Sequence, residues 1–159
     1  MSAILRIDDR LLHGQVLLAC ATRLRPDCIV LANDAVATTP FDRDLYLSLD
    51  DELTIAVDTP AAVLERLGRD PDTRYLVVVG STRDARWLIE QGVRPETAHV
   101  GGLHATPDTR RLFDSVHLTK NDVDNLRAIL AYGVELEARE APDVPGVRLD
   151  AAMLAGLWS

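Results

Sequence analysis

The chain has 159 residues and a net charge of −8, with 47% hydrophobic and 26% charged residues, which is ordinary for one globular domain covering residues 1–159. The acidic balance argues against binding of nucleic acid, which needs a basic face. No apolar run approaches the roughly 20 residues that span a bilayer, and residues 1–6 lack the pattern of a signal peptide. We therefore expect a cytoplasmic protein with no nucleic-acid partner and no direct membrane insertion.

Short apolar runs alternate with stretches of helical period, which is typical of a parallel sheet wrapped by helices. A first strand is predicted at residues 3–7 and a helix at residues 15–22. The fully apolar run at residues 28–32 predicts a buried strand. A helix over residues 40–49 then begins with a proline, which suits a first helical turn.

The rest of the chain continues this alternation. Thr59, Ser81 and Thr119 are predicted helix N-caps, and Gly68 is a predicted stop signal. The sequence thus predicts an α/β fold: a single-domain, open, mostly parallel β-sheet of about six to seven strands with helices on both faces. The remaining predicted elements are strands at 53–57, 75–79, 97–100, 115–118 and 134–138, and helices at 61–67, 82–91, 120–132 and 149–158.

The segment at residues 6–16, RIDDRLLHGQV, concentrates the residues that could carry chemistry. His13 lies between a predicted strand and a predicted helix, at the sheet edge where parallel α/β folds bind ligands. A helix start offers free backbone N–H groups and a positive dipole end, which favour an anion. A nucleophilic imidazole beside an anion site fits a residue that accepts and donates a phosphoryl group.

The same segment is similar to the R-x-D-x-R-L-[IL]-H-G-Q-V signature of the IIB components of the mannose/fructose/sorbose class of the bacterial sugar phosphotransferase system. The runs HVGGL at residues 99–103, SVHLT at 115–119 and YGVELEAR at 132–139 resemble later parts of that family. The resemblance covers nearly the whole chain. It implies a transferase that needs no cofactor.

The resemblance implies that His13 of this chain takes a phosphoryl group from a phosphohistidine on a IIA domain. His13 would then pass the group to a hexose-type sugar during uptake through the membrane subunits IIC and IID. The alternative is a regulatory relative that is phosphorylated on His13 without moving sugar. The residues do not indicate which ring nitrogen reacts or which sugar is the substrate.

Neighbouring residues have alternative interpretations. Asp8 could orient the imidazole of His13 and Arg10 could bind the phosphoryl oxygens as a bidentate fork, or the two could form an ion pair that braces the turn. Arg6 is expected to be structural or to contact a partner. Gly14 is interpreted as giving the backbone room at the helix entrance, or as a plain turn glycine, and Gln15 as a hydrogen-bond donor there.

Outside that segment, Ser81 either donates its hydroxyl to the phosphoryl group or only caps the helix that follows it. Gly101 and Gly102 indicate a close approach of the backbone to the site or to a neighbouring element. The histidines outside the signature have no metal-ligand spacing, so no metal site is expected. The run at residues 80–82 lacks the rest of a Walker sequence, so a nucleotide is not the expected phosphoryl source.

Overall fold

A computed structural model of the protein describes residues 2–159, apart from the side chains of Ser2 and Gln15. The strands are β1 (Ser2–Asp8), β2 (Cys28–Ala32), β3 (Ile55–Asp58), β4 (Arg74–Val79), β5 (Thr97–Gly102), β6 (Arg110–Phe113), β7 (Val116–Leu118), β8 (Leu136–Ala138) and β9 (Val147–Leu149). Seven of them form one open sheet in the order β3-β2-β4-β1-β5-β8-β9, in which only the β8–β9 pair is antiparallel. The remaining two strands, β6 and β7, form a separate antiparallel hairpin.

Helices cover both faces of the sheet, which confirms the predicted fold class. They are α1 (Gly14–Ala19), which continues into a π-helical segment (Cys20–Leu24), α2 (Asp34–Thr38), α3 (Pro40–Leu47), α4 (Pro60–Arg69), α5 (Thr82–Glu90), α6 (Lys120–Ala131) and α7 (Ala151–Leu157). On one face, α4 to α7 bury Val63, Leu88, Leu126 and Leu154, and on the other α1 to α3 pack Leu17, Val36 and Tyr46. Within residues 2–159, no helix is long and apolar enough to cross a membrane.

The predicted helix starts are confirmed by their capping bonds. The side chains of Thr59 and Ser81 accept hydrogen bonds from the backbone N–H groups three residues later. Thr119 forms the predicted capping box. Its hydroxyl oxygen accepts from the Asp122 amide at 3.0 Å, and the Asp122 carboxylate accepts from the Thr119 amide at 2.9 Å. These bonds satisfy amide groups that the first helical turn leaves without an acceptor.

One predicted detail is wrong. Gly68 does not stop α4, which ends only at Arg69; Pro71 disfavours a helical conformation at Asp70, the residue before it, and so sets the end. The strand predicted at residues 115–118 is confirmed as β7, which pairs with β6 outside the main sheet, and an isolated bridge joins its Val116 to Leu103, the residue after β5.

The strand order places a crevice between β1 and β5. The chain leaves β1 towards β2 on one side of the sheet and leaves β5 towards β8 on the other. Such a change of direction leaves a gap at the carboxyl ends of the two strands, and ligands of open α/β sheets bind there. The segment after β1 contains His13.

Candidate functional site

His13 occupies the N-cap position of α1, with an extended backbone at φ −148° and ψ 151° and no capping bond from its side chain. The residue is half-buried. Its Nε2 atom is covered and has no hydrogen-bond partner among the described residues. Because the imidazole is not used to satisfy the helix start, it is free for another interaction.

The turn that leads to His13 has an unusual backbone conformation. Leu11 has φ of 60°, a left-handed conformation that costs a non-glycine residue roughly 1–2 kcal/mol. The turn is closed by a bond of 3.0 Å from the Leu11 amide to the Asp8 carbonyl. Gly80, after β4, makes room for the Leu11 side chain, because a Cβ at that glycine would lie 3.0 Å from Leu11 Cδ2.

The carboxylate of Asp8 is buried and paired with two guanidinium groups. Its Oδ1 accepts from Arg10 Nε at 2.9 Å and from the Arg10 amide at 3.0 Å, and its Oδ2 accepts from Arg10 Nη2 at 2.8 Å. Oδ2 also accepts from Arg6 Nη2 at 3.0 Å. No described hydrogen bond joins Asp8 to His13. The two arginines occupy the oxygens of Asp8, which is the ion pair considered as the alternative to an orienting role.

This bidentate pairing fixes the guanidinium of Arg10 but leaves one of its nitrogens without a partner among the described residues. Nε and Nη2 bind Asp8, whereas no described residue accepts a bond from Nη1. The hydrogen bond to Asp8 raises the pKa of Arg10, so the guanidinium stays charged. Arg10 also lines a cavity of about 410 Å³, which leaves it accessible to an anion.

Arg6 lies beneath this pair and is structural, as the sequence indicated. Its side chain is 1% exposed. Besides Asp8, it binds two backbone carbonyls beyond β8, donating from Nη1 to Arg139 at 3.0 Å and from Nη2 to Glu140. Arg6 therefore ties the end of β1 to the segment after β8.

The paired glycines at the end of β5 make room for these arginines. A Cβ at Gly101 would lie 2.2 Å from Arg6 Nη2 and 2.7 Å from Asp8 Oδ2, and a Cβ at Gly102 would lie 2.8 Å from Arg10 Nε. Any side chain at Gly101 would displace the buried ion pair. The predicted close approach to a neighbouring element is confirmed, and that element is the end of β1.

The other predicted site residues differ in how the structure places them. A Cβ at Gly14 would have nothing within 4 Å, so no contact inside the described chain requires a glycine there. The Ser81 oxygen caps α5 by accepting from the Asp84 amide at 3.1 Å. The side chain of Gln15 lies outside the described residues.

An interaction between Asp9 and His104 was not predicted. The Asp9 carboxylate contacts His104 Nδ1 at 2.6 Å and accepts from the His104 amide at 2.8 Å. The Asp9 amide donates to the Gly102 carbonyl at 2.9 Å. These bonds join the loops after β1 and β5, and the 95-residue separation left no local sequence signal for them.

Two buried titratable groups near the site, His99 and Cys20, have shifted pKa values that make them unreactive at neutral pH. Burial, followed by the charges of Arg6 and Arg139, lowers the pKa of His99 to about 4. Burial raises the pKa of the Cys20 thiol to about 11. At neutral pH His99 is uncharged and Cys20 is a protonated thiol, which is a poor nucleophile.

The fold and this site define an α/β domain with an unengaged histidine at a switch point of its parallel sheet. Residues 2–154 match the family model described as the PTS system sorbose subfamily IIB component. The chain therefore belongs to the sorbose-subfamily IIB components of the sugar phosphotransferase system. As a member of that family it is a phosphocarrier component, which confirms the function implied by the sequence signature.

Known relatives agree with this assignment. The fructose-specific EIIB component of Bacillus subtilis (strain 168) is 29% identical over 142 residues, which are 86% of this chain and 86% of that protein. The mannose-specific EIIAB component of Escherichia coli (strain K12) is 25% identical over 147 residues, and the aligned region spans 91% of this chain but only 46% of that longer protein. The crystal structure of the IIBSor domain of the sorbose permease from Klebsiella pneumoniae has the same fold, with a TM-score of 0.88 at 24% identity over 98% of each chain.

Proposed function

We propose that His13 is the residue of this phosphocarrier that accepts and donates the phosphoryl group. The observation that carries the proposal is the position of its imidazole, which begins a helix without capping it and follows Arg10, whose Nη1 has no partner among the described residues. The signature RIDDRLLHGQV contains both residues. A nucleophile and an unused guanidinium on the same short turn are groups that phosphoryl transfer needs.

We base the proposed reacting ring atom on the covered nitrogen. Nε2 of His13 is buried without a partner, so we assign the attack to the lone pair of Nδ1, with the imidazole proton on Nε2. In the first step the P–N bond of a donor phosphohistidine breaks as a P–N bond to Nδ1 forms. In the second step a sugar hydroxyl attacks the phosphorus, the bond to Nδ1 breaks, and the hydroxyl proton leaves to solvent or a nearby base.

The surrounding groups would stabilise the transferred charge. Arg10 Nη1 and the amide N–H groups at the start of α1 are donors suited to phosphoryl oxygens. Ser81 accepts a bond at its oxygen while its O–H stays available to donate, so a capping role and a phosphoryl contact are compatible. Gly14, with open space around it, leaves the approach to the helix start unobstructed, and Gln15 is a further proposed donor.

The proposed donor is a phosphorylated IIA domain, and the proposed acceptor is a hexose-type sugar presented by the membrane subunits IIC and IID. The name of the mannose-specific EIIAB relative joins a IIA and a IIB part in one component, which supports a IIA partner. Relatives named for fructose, sorbose and N-acetylgalactosamine support a sugar acceptor. The membrane subunits IIC and IID are proposed as partners because the signature resembles that of a family whose members work with them.

The test is phosphoryl transfer in a reconstituted system with phosphoenolpyruvate, the general phosphotransferase proteins and a cognate IIA. Mass spectrometry should locate one acid-labile phosphoryl group on His13, and His13→Ala should remove it. Because His13 makes no capping bond, the variant should keep the circular dichroism spectrum and melting temperature of the parent. Full labelling of a folded His13→Ala variant would refute the proposal.

A further inference from the structure

Helix α3 carries an apolar stripe that no described part of the chain covers. None of its eight residues is buried, and Phe41 and Leu45 are 77% and 53% exposed. Residues four apart lie on the same side of a helix, and the exposed Leu49 continues this spacing just beyond the helix end. Tyr46, on another side of the helix, packs against the core. The helix is therefore anchored on one side and apolar on its outer side.

Acidic residues flank this stripe along the chain. Residues 40–54 contain five carboxylates and one basic residue, Arg43. Arg43 is partly buried and donates from Nη1 to the Val57 carbonyl in β3, so its charge is directed at the sheet edge. The carboxylates are those of Asp42, Asp44, Asp50, Asp51 and Glu52. We call the stripe of Phe41, Leu45 and Leu49 together with these carboxylates the α3 surface.

The charge of the α3 surface selects among the partners that could cover it. Exposed apolar patches with a polar border are typical of interaction sites, and carboxylates at the border repel an acidic partner. A second copy related by a two-fold axis would bring two acidic borders together. An anionic membrane would meet the same repulsion. The partner that fits is a protein segment whose apolar residues are flanked by Lys or Arg.

The α3 surface lies to one side of the turn that carries His13. Helix α3 packs beside β3, the edge strand of the order β3-β2-β4-β1. Three strand spacings, roughly 14 Å in total, separate β3 from β1. Helix α3 follows α2, which begins just after the carboxyl end of β2, so α3 starts near the sheet edge that also carries His13. A partner on the start of α3 would lie beside His13 and not over it.

We propose that the α3 surface is the docking site for a basic, partly apolar cytoplasmic segment of the membrane subunits. Cytoplasmic loops of membrane proteins carry an excess of Lys and Arg, which complements the acidic border. The inference rests on the proposed function, in which His13 passes its phosphoryl group to a sugar presented by those subunits. It adds the surface through which they hold the chain, and this surface differs from the one that receives the phosphorylated IIA domain.

The test is binding of the full chain to a cognate IIC–IID complex in nanodiscs of zwitterionic phosphatidylcholine. Phe41→Ser/Leu45→Ser should raise the Kd at least tenfold, because it removes the apolar stripe. Val144→Ser/Val147→Ser is the matched control, since it removes two exposed apolar residues near the opposite edge of the sheet, and it should bind like the parent. Both variants should keep the melting temperature of the parent, because the replaced side chains are exposed.

A second variant tests the acidic border. Asp51→Lys/Glu52→Lys reverses two exposed charges and should also raise the Kd at least tenfold at low salt. The difference from the parent should shrink as the salt concentration rises, because salt screens exposed charges. An unchanged Kd for this variant at low salt would contradict the choice of a basic partner.

Other outcomes would also overturn the inference. It fails if Phe41→Ser/Leu45→Ser binds the complex like the parent. It fails if empty nanodiscs that contain anionic lipid bind the parent as tightly as the complex does. A dimer of the parent in sedimentation analysis that Phe41→Ser/Leu45→Ser abolishes would make a second copy the occupant.

The fate of this inference is separable from that of the proposed function. Labelling of His13 by the phosphorylated IIA domain should stay within twofold of the parent in both the stripe and the border variants. An equal loss of labelling and of IIC–IID binding would assign the α3 surface to the donor and overturn the inference. Binding of the complex through α3 by a chain that is never labelled on His13 would defeat the proposed function alone.

Discussion

One row of paired residues on neighbouring strands crosses the sheet and changes from apolar to charged or polar between β4 and β1. On β2 and β4 it consists of buried apolar residues, whereas on β1, β5, β8 and β9 it becomes charged or polar. The opposite face is apolar in all six strands at the neighbouring positions. The first row is Leu31, Val78, Arg6, His99, Glu137 and Arg148, and the second is Val30, Val77, Leu5, Ala98, Leu136 and Leu149.

The apolar half of this row (β2 and β4) and its charged half (β1, β5, β8 and β9) differ in what their buried residues contribute. Apolar burial stabilises a sheet without needing partners, whereas a buried charge is costly unless it is paired and hydrogen-bonded. Arg6 has these partners in Asp8 and two carbonyls, and Asp8 in turn fixes Arg10. The charged half therefore fixes the guanidinium of Arg10, three residues before His13 in the chain, and the apolar half supplies stability.

The largest expected effect comes from removing the shared carboxylate. Asp8→Ala leaves Arg6 and Arg10 without their counter-ion, and breaking a buried pair typically costs about 3–5 kcal/mol. Asp9→Ala is the matched control in the same turn and should cost only about 1 kcal/mol, because its partner His104 is 70% exposed. Urea denaturation measures both. An Asp8→Ala loss no greater than that of Asp9→Ala would show that the charged half is not held by this pair.

The next effect is a dependence of stability on pH. The unfolded chain protonates His99 below a pKa of about 6.5, whereas the folded protein resists protonation until about pH 4. The folded state therefore loses stability as the pH falls from 6.5 towards 4, by about 2–3 kcal/mol at pH 4.5. In His99→Leu this contribution should be missing. Parallel stability–pH curves for parent and variant between pH 7 and 4.5 would contradict the account.

A smaller effect is expected from crowding the arginines. Gly101→Ala places a methyl group against Arg6 and Asp8, and overpacking of this kind costs typically about 1–3 kcal/mol. Gly14→Ala is the control, because its added methyl group meets nothing and should change the free energy of unfolding by less than about 0.5 kcal/mol. Equal losses in thermal unfolding would mean that the space beside β1 is not the reason for Gly101.

The smallest effect is expected at the exposed end of the charged row. Arg148 pairs with Glu135 at 3.2 Å, with both side chains more than half exposed. Such pairs contribute little, so Arg148→Ala should change the free energy of unfolding by less than about 0.5 kcal/mol. A loss comparable to that of Asp8→Ala would show that burial is not what separates the two halves.

The strands of the apolar half could be predicted from the sequence, whereas the burial of residues in the charged half could be predicted less well. The run at residues 28–32 coincides with β2 because an uninterrupted apolar segment has one stable environment, a sheet buried on both faces. The burial of Arg6 had no such local signal, since it depends on Asp8 and on carbonyls more than 130 residues away. Strand β9 was missed for a similar reason: it is short, largely exposed and formed by pairing with β8.

The candidate site divides in the same way. His13 could be predicted from the signature and from its place between a strand and a helix. Its immediate surroundings could not, because the choice between Asp8 orienting His13 and Asp8 bracing Arg10 depends on the left-handed turn at Leu11. That conformation is rare for leucine, and a local sequence pattern does not predict it.

The most direct test of the central claim is ³¹P NMR of the chain after phosphorylation through a cognate IIA. We expect a single phosphohistidine resonance that belongs to the Nδ1 isomer, disappears on acidification and is missing from His13→Ala. A resonance of the Nε2 isomer would contradict the assignment based on the covered nitrogen. An unchanged resonance in folded His13→Ala would contradict the role of His13 altogether.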